Sequence, residues 1–431
     1  MTPRPVAEIR DPVHGYIKIT EAERDVIDTP FVQRLRRIHQ LAGAYLVYPG
    51  AVHTRFDHVI GAMHVAGEVA EALSMWADLT PDSVQEIRLA ALLHDVGHGP
   101  FSHTFEEVLA DKTTTTHEDI SQRIIRETSI HDILNKHGFS PRKMSAFAVG
   151  KQSTKPPFMN EIIAGGLSAD IMDYLLRDSY FTGVEYGKVD VQRVIDSLRV
   201  AGKHLAVDNA GLYAFEALLL ARYEMFKAVY FHRTVRAAEL MLVNSMKLAE
   251  ASLNLTDLSD INYYLEMTDE RVLHDLVSLD PADSEQKEAK LLAIGFRDRR
   301  LVKCVFEQLF HRRDRGVQQL FERSRIRGEV VLDIAEEANV DRTRIYLDVP
   351  TTPSVPYTSA REAPTSIKVV YGEGKNLIHR KVPLSELPLV GSIAGFMDIL
   401  RIYTTAENRA AVEKATAHLF SDSGYMTKIS V

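Results

Sequence analysis

The sequence predicts a mainly α protein, with a large helical domain over residues 1–345 and a small α+β part over residues 346–431. Three features predict it. Apolar residues recur with helical periodicity through most of residues 20–340, with few turn clusters. Pro350, Pro353, Pro356 and Pro364 then crowd together, marking an irregular connection. Beyond them Ile367 to Tyr371 and Leu377 to Val382 flank Gly372-Glu373-Gly374-Lys375, the pattern of two short strands around a turn.

Taken in order, Phe56 to Leu79 reads as a long helix whose Gly61, Ala62, Ala66, Gly67 and Ala70 admit a close neighbour. Thr80-Pro81-Asp82 sets a capping hydroxyl before a helix-starting proline, and the helical run Val84 to Val96 follows until Gly97 interrupts it. Asp170 to Asp178 reads as a helix with Asp170, Tyr174 and Asp178 along one stripe and Ile171, Met172, Leu175 and Leu176 as its apolar flank. The strand candidates before residue 340 are His204 to Val207 and Leu212 to Ala214, around Asp208-Asn209-Ala210-Gly211. Two helical stretches are expected to close the chain, and no internal repeat is present.

With 431 residues, 45% hydrophobic and 26% charged, the composition is globular and excludes collagen-like or largely disordered chains. No apolar run approaches the ~18 residues of a membrane span, and Met1-Thr2-Pro3-Arg4-Pro5 lacks the apolar core of a secretory signal. Cys304 is the only cysteine, which excludes a disulfide framework and a cysteine-rich zinc site; a buried small hydrophobe is expected there. The expected location is the cytoplasm. A net charge of −8 argues against a duplex-binding protein. One basic run, from Arg297 through Arg299, Arg300, Lys303, Arg312, Arg313, Arg315, Arg323 and Arg325 to Arg327, reads as a solvated face of charged helices or as a phosphate site.

The chemistry is announced by histidine. His53, His58, His64, His94, His98, His103 and His117 lie within 65 residues, where an even spread of the 17 would place about two or three. Imidazole is a metal ligand and an acid or base near neutral pH. The tightest element is Leu92-Leu93-His94-Asp95-Val96-Gly97-His98-Gly99-Pro100, where an apolar helix delivers a histidine and an aspartate together just as glycines open the backbone. Imidazole with carboxylate suits Mn, Fe, Ni, Zn or Mg. His58 and the Asp170 stripe are the candidates for completing such a set. His53 and His64 read as packing or helix-surface residues, and His117 also fits the first turn of a helix.

His58, His94-Asp95 and Asp170 together form the H…HD…D pattern, which resembles the HD-domain metal-dependent phosphohydrolases. The similarity extends through Asp11-Pro12-Val13-His14-Gly15, Asp28-Thr29-Pro30, Gln33-Arg34-Leu35-Arg36, Gln40-Leu41, His53-Thr54-Arg55-Phe56-Asp57-His58, the segment His94 to His103, and Asp173-Tyr174-Leu175-Leu176-Arg177-Asp178. In that order, from residue 11 to about residue 240, these resemble the deoxynucleoside triphosphate triphosphohydrolases, some of which carry a sterile-alpha-motif domain before the HD domain. No such domain is expected ahead of Asp11. The resemblance implies an HD-domain helical bundle with its core at about residues 50–180.

The resemblance further implies one divalent metal ion held by His58, His94, Asp95 and Asp170. It implies triphosphate contact by Arg55, sugar contact by Gln40 and Leu41, deoxyribose packing by Tyr174, and a 3′-side role for Asp178. His98, His103 and His117 are the implied catalytic histidines, with His103 as acid, His98 on the phosphate and His117 positioning water. The substrate would be a dNTP, and the products a deoxynucleoside and tripolyphosphate. Asp28, Gln33 and Arg36 match an activating site for a guanine nucleotide, GTP or dGTP, in a homo-oligomer, with a tetramer favoured. Tyr230, His232, Arg233 and Arg236 fall where the family has further phosphate contacts but stay outside the primary site.

Two expected lysines are replaced, by Ile171 after the metal aspartate and by Ala7 upstream of Asp11; Lys227 or Arg233 could compensate for the first. Two alternatives therefore stand. One is an HD phosphohydrolase or phosphodiesterase acting on a monophosphate, a cyclic nucleotide or guanosine tetraphosphate. The other is a catalytically inactive nucleotide or single-strand nucleic-acid binder, against which the net charge and the intact metal set argue.

Overall fold

The computed structural model describes residues 4–312, 324–349, 351–353, 366–372, 378–387, 389–390 and 396–421. Helices dominate, as the periodicity predicts. The helix Arg55–Leu73 is almost wholly buried and packs against the helices Pro81–Leu93 and Ala169–Thr182. Its small residues are what allow the approach. A Cβ on Gly61 would overlap the Asp173 carboxylate and the Arg177 guanidinium of the Ala169–Thr182 helix. Thr80 caps the Pro81–Leu93 helix by accepting from the Ser83 N–H, satisfying one of its orphan donors.

Among the described residues ten strands flank this bundle. β1 (Ala7–Asp11) and β2 (Gly15–Ile19) form an antiparallel hairpin ahead of the helices. β3 (Leu198–Ala201) and β4 (His204–Asp208) form a second hairpin. β5 (Lys303–Arg312), β6 (Ile345–Asp348) and β7 (Thr351–Pro353) follow, then β8 (Ser366–Tyr371), β9 (Ile378–Pro383) and β10 (Phe396–Thr404). One sheet runs β3-β4-β8-β9 with β4 and β8 parallel; in the other, β10 lies between β5 and β6 and also pairs with β7. A small apolar core formed by Ile326, Val330, Ile334, Leu400, Ile402 and Val412 packs beneath the β10 sheet. No helix among the described residues is long and apolar enough to cross a membrane.

Three expectations need correction. His204 to Asp208 is a strand, but it pairs with the preceding Leu198–Ala201; Leu212 to Ala214 are instead the first turn of the helix Leu212–Met225. The reason is local, since the Asp208 side chain accepts from the Ala210 N–H and starts a helical turn. The closing helical residues are interrupted: between residues 389–390 and the helix Arg409–Ser421, Phe396 to Thr404 forms a central strand that was not expected. Finally, part of the basic run is strand, Lys303–Arg312, so the β10 sheet draws on both sides of residue 345. The strands expected at Ile367 to Tyr371 and Leu377 to Val382 form as β8 and β9, while their connecting Glu373 to Leu377 lie outside the described residues.

The N-terminal helix Glu21–Ile27 is moored by one buried ion pair. Glu23 is fully buried and accepts from Arg88 Nε at 2.6 Å, from Arg88 NH2 at 2.9 Å and from Gln85 Nε2 at 2.7 Å. Removing one partner strands a charge in a low-dielectric interior. Arg88→Ala should therefore lower stability by about 3–5 kcal/mol, measured by urea denaturation; a loss under about 1 kcal/mol would show that water reaches Glu23.

Candidate metal centre and phosphate site

The four residues expected to hold metal meet where three helices end or begin. His58 comes from the first turn of Arg55–Leu73, His94 and Asp95 from the end of Pro81–Leu93, and Asp170 from the first turn of Ala169–Thr182. His58 Nε2 lies 3.2 Å from Asp170 Oδ1 and 3.7 Å from Asp95 Oδ2. His94 Nε2 lies 3.2 Å from Asp95 Oδ1 and 3.4 Å from His58 Nε2. Each imidazole has its other nitrogen occupied, His58 Nδ1 by Asp173 Oδ2 at 2.8 Å and His94 Nδ1 by the Ala91 carbonyl at 2.7 Å. That arrangement sets the tautomer and aims both Nε2 atoms at the carboxylates, the orientation a divalent ion requires. The donor set therefore fits the expected metal.

Burial by itself lowers the His58 pKa, but the Asp170 and Asp173 carboxylates more than reverse this and raise it to about 10. Asp170 is shifted the other way: burial favours its neutral form, but His58 and His94 hold its carboxyl below the usual range.

Beside this set lies a second group. His98 is buried with Nε2 3.3 Å from Asp95 Oδ1, and its ring stacks on His117 at 4.0 Å between centroids. Burial, Arg55 and His117 depress the His98 pKa, so His98 stays neutral. Glu106, which the sequence reading missed, is the hub. Its Oε1 lies 2.7 Å from His117 Nδ1 and 3.1 Å from His103 Nδ1. Despite burial, His103 and His117 keep the Glu106 carboxyl far below its usual range. Burial opposes charge on His117, and Glu106 overcomes it, so the His117 pKa rises. The signal was available: Glu106 follows His103 by three residues, one face of the helix His103–Leu109. Gly97 admits the His117–Glu127 helix, because a Cβ there would meet the His117 carbonyl and the Ser121 side chain.

A cavity of about 890 Å³ joins these groups. His94, Asp95, Asp170, His98, His103, His117, Arg55, Gln40, Leu41, Tyr174 and Asp178 all line it, and His58 lies just behind. Arg55 holds Asp95 through NH1 and Ser102 Oγ through Nε. Gln40 is buried, and its Oε1 has no hydrogen-bond partner among the described residues. Asp178 is fixed by His53 Nε2 at 2.8 Å and the Tyr230 hydroxyl at 2.6 Å, so His53 orients a cavity carboxylate rather than merely packing. Tyr174 accepts from Arg222 Nε at 2.8 Å. Neither Lys227 nor Arg233 lines the cavity beside Ile171, whereas Arg222 and Arg236 do. Asp28, Gln33 and Arg36 lie elsewhere, outside the cavity lining, with Arg36 Nε donating to Gln33 Oε1 at 2.9 Å. In the basic run, Arg297 and Arg300 pair with Asp298, Arg325 pairs with Glu329, and residues 313–323 lie outside the described residues.

Two outcomes follow for the metal. Asp173→Asn should weaken divalent-ion affinity by about 10- to 100-fold, read by calorimetric titration; unchanged affinity would show that Asp173 does not orient His58. Because His58 must lose a proton to ligate, affinity should rise with pH by about tenfold per unit below its raised pKa, with about one proton released per ion. Calorimetry in buffers of different ionisation enthalpy counts that proton, and a count of zero would show that His58 is already neutral.

Residues 55–178 match the HD domain, and residues 189–378 match the HD associated region. An uncharacterized protein of Methanocaldococcus jannaschii is 36% identical over 285 residues, covering 62% of this chain and 58% of that one. The deoxynucleoside triphosphate triphosphohydrolase SAMHD1 homolog of Dictyostelium discoideum is 29% identical over 316 residues, 69% of this chain and 60% of that one. The chain thus spans less than two thirds of the length of either. Among solved structures, a hypothetical protein from Aquifex aeolicus superposes with a TM-score of 0.75 at 31% identity over 95% of this chain and 99% of that one. A phosphohydrolase from Bacteroides thetaiotaomicron gives 0.72 at 25% identity over 93% and 99%. With the four-residue metal set, the two matched regions and the near full-length structural agreement in place, the chain belongs to the HD-domain family and carries that family's associated region.

Proposed function

We propose that the protein is a metal-dependent phosphohydrolase that cleaves dNTPs to a deoxynucleoside and tripolyphosphate. One observation carries this reading: a single cavity joins the metal set, a three-histidine group and a buried, unpartnered Gln40 Oε1. The first can serve a phosphoryl centre, the second a leaving oxygen, and the third a sugar hydroxyl. The HD family and the names of the SAMHD1 relatives support the nucleotide assignment.

A divalent ion, when bound, supplies Lewis acidity at a phosphoryl oxygen and makes water a better nucleophile. The chain's own residues do the rest. Water adds at the α-phosphorus as the bond to the 5′-oxygen breaks, spreading negative charge that the Arg55 guanidinium is placed to offset. His103 gives the proton that the 5′-oxygen takes up, with Glu106 Oε1 3.1 Å from its Nδ1 to orient the ring. His98, held neutral, contacts the phosphate, and His117, charged by Glu106, positions the attacking water. Tyr174 and Asp178 bound the sugar, with Gln40 accepting from its 3′-hydroxyl. Activation by GTP or dGTP through Asp28, Gln33 and Arg36 in a tetramer belongs to the same proposal. Ile171, on the cavity wall where a lysine is expected, keeps a second phosphoester substrate class in view, and product analysis separates the two.

The test incubates the purified protein and Mn or Mg with mixed dNTPs, with and without GTP or dGTP, and identifies the phosphate product. Tripolyphosphate should appear, and vanish in the His94→Ala/Asp95→Ala variant. His103→Ala should cut turnover by about 10²- to 10⁴-fold with metal content unchanged; equal loss of metal would end the acid assignment. Orthophosphate or pyrophosphate as the product would end the triphosphohydrolase reading.

A further inference from the structure

Phe101 and Ser102 adopt φ of 59° and 56°, a conformation that disfavours any residue bearing a Cβ. They link His98 to His103, so their backbone decides where the His103–Leu109 helix begins. The contacts that hold them come from far along the chain. The Tyr264 hydroxyl donates to the Gly97 carbonyl at 2.8 Å. Arg34 NH1 donates to the His98 carbonyl at 2.8 Å, while its Nε and NH2 donate to the Met267 carbonyl at 3.0 and 2.7 Å. Asp269 Oδ1 accepts from the Phe101 N–H at 2.6 Å. Its Oδ2 accepts from the His39 N–H at 2.9 Å and lies 2.8 Å from His39 Nδ1. Ser102 Oγ closes the loop by donating to the His39 carbonyl at 2.7 Å.

One carboxylate, only 3% exposed, thus ties the phosphate-side loop to the segment that carries Gln40. We propose that Asp269 is a positioning residue that sets the separation between the His98–His103 loop and Gln40, and so registers the phosphate chain against the sugar. Asp269 itself is outside the cavity lining and acts only through those groups. A carboxylate suits the task because three donors need two acceptor oxygens; asparagine can serve one side alone. The register matters because about 1 Å of misplacement costs on the order of 100-fold in rate. The substrate part of this inference rests on the dNTP reading above.

The experiment compares Asp269→Ala, Asp269→Asn and wild type as full chains loaded with Mn. It reads kcat and KM for a dNTP and for its 2′,3′-dideoxy counterpart, metal content, and amide hydrogen exchange. In Asp269→Ala, kcat should fall roughly 10- to 100-fold with metal content unchanged, and Asp269→Asn should lie between. The preference for the 3′-hydroxyl should shrink in both variants; this ratio does not depend on how much enzyme is folded. Exchange should rise in peptides covering residues 38–41 and 97–103 but not in those around His58. A rate loss with the 3′-hydroxyl preference intact would reduce Asp269 to a structural role and overturn the proposal, as would kcat within about twofold of wild type. If wild type turns over no dNTP, the functional reading falls separately, and exchange then decides: selective opening of those two peptides supports the proposal, and uniform or absent change overturns it.

Discussion

A carboxylate with no exposed surface and four polar contacts orders the centre of this molecule. Asp173 receives Arg177 Nε and NH2, both at 2.9 Å, and faces His14 Nε2 at 2.7 Å as well as His58 Nδ1. Burial pushes the Asp173 pKa up, but Arg177 and the two histidines hold it well below the usual range. Arg177 extends the network to Asp11, whose other oxygen accepts from the Val13 and His14 N–H groups in the β1–β2 turn. A buried charge persists only where such partners are complete. The His58 ring orientation therefore depends on a hairpin more than 40 residues upstream, on a glycine that lets Asp173 approach, and on an arginine one helical turn away. Asp11-Pro12-Val13-His14-Gly15 has its physical explanation here: it supplies the far side of a metal ligand's support.

Charge is divided across the cavity in a way that suits polyphosphate chemistry. Asp95, grouped with His58 and His94, and Asp170, 3.2 Å from His58, concentrate negative charge where a cation would bind, and Glu106 places another carboxylate behind His103 and His117. His98 sits between the groups, kept toward its neutral form by burial and then by Arg55 and His117. The stacked rings of His98 and His117 are thereby pushed in opposite directions by environment alone, His98 toward the neutral form and His117 toward the charged one. The associated region takes part as well, contributing Arg222 and Tyr230 to the cavity wall.

Much of the site was legible because its ligands sit in short motifs on strongly periodic helices. His94-Asp95 ends an apolar helix before a glycine, and Asp170, Tyr174 and Asp178 share one helical face, so spacing made them candidates and the resemblance to the HD phosphohydrolases implied their roles. What escaped was long-range. Asp269 lies 168 residues from Phe101, and nothing local distinguishes it from the first acidic residue of an ordinary helix. Glu106 is the local exception, three residues after His103 on one helical face. Phe396 to Thr404 carries apolar residues at irregular spacing, where helix and buried strand cannot be told apart by period, and only pairing with Lys303–Arg312 on one side and Ile345–Asp348 on the other settles it.

The left-handed Phe101-Ser102 step has a consequence for synthesis on the ribosome. Every candidate metal ligand and all three histidines beside them lie within the first 170 residues, so that half of the candidate site can assemble while the chain is still being made. The residues that stabilise the step, Tyr264 and Asp269, emerge about a hundred residues later. During that interval nothing from the nascent chain's later segments holds the loop in its disfavoured backbone. A growing chain can therefore bring its candidate metal residues together before the backbone of its His98–His103 segment is held by its later partners.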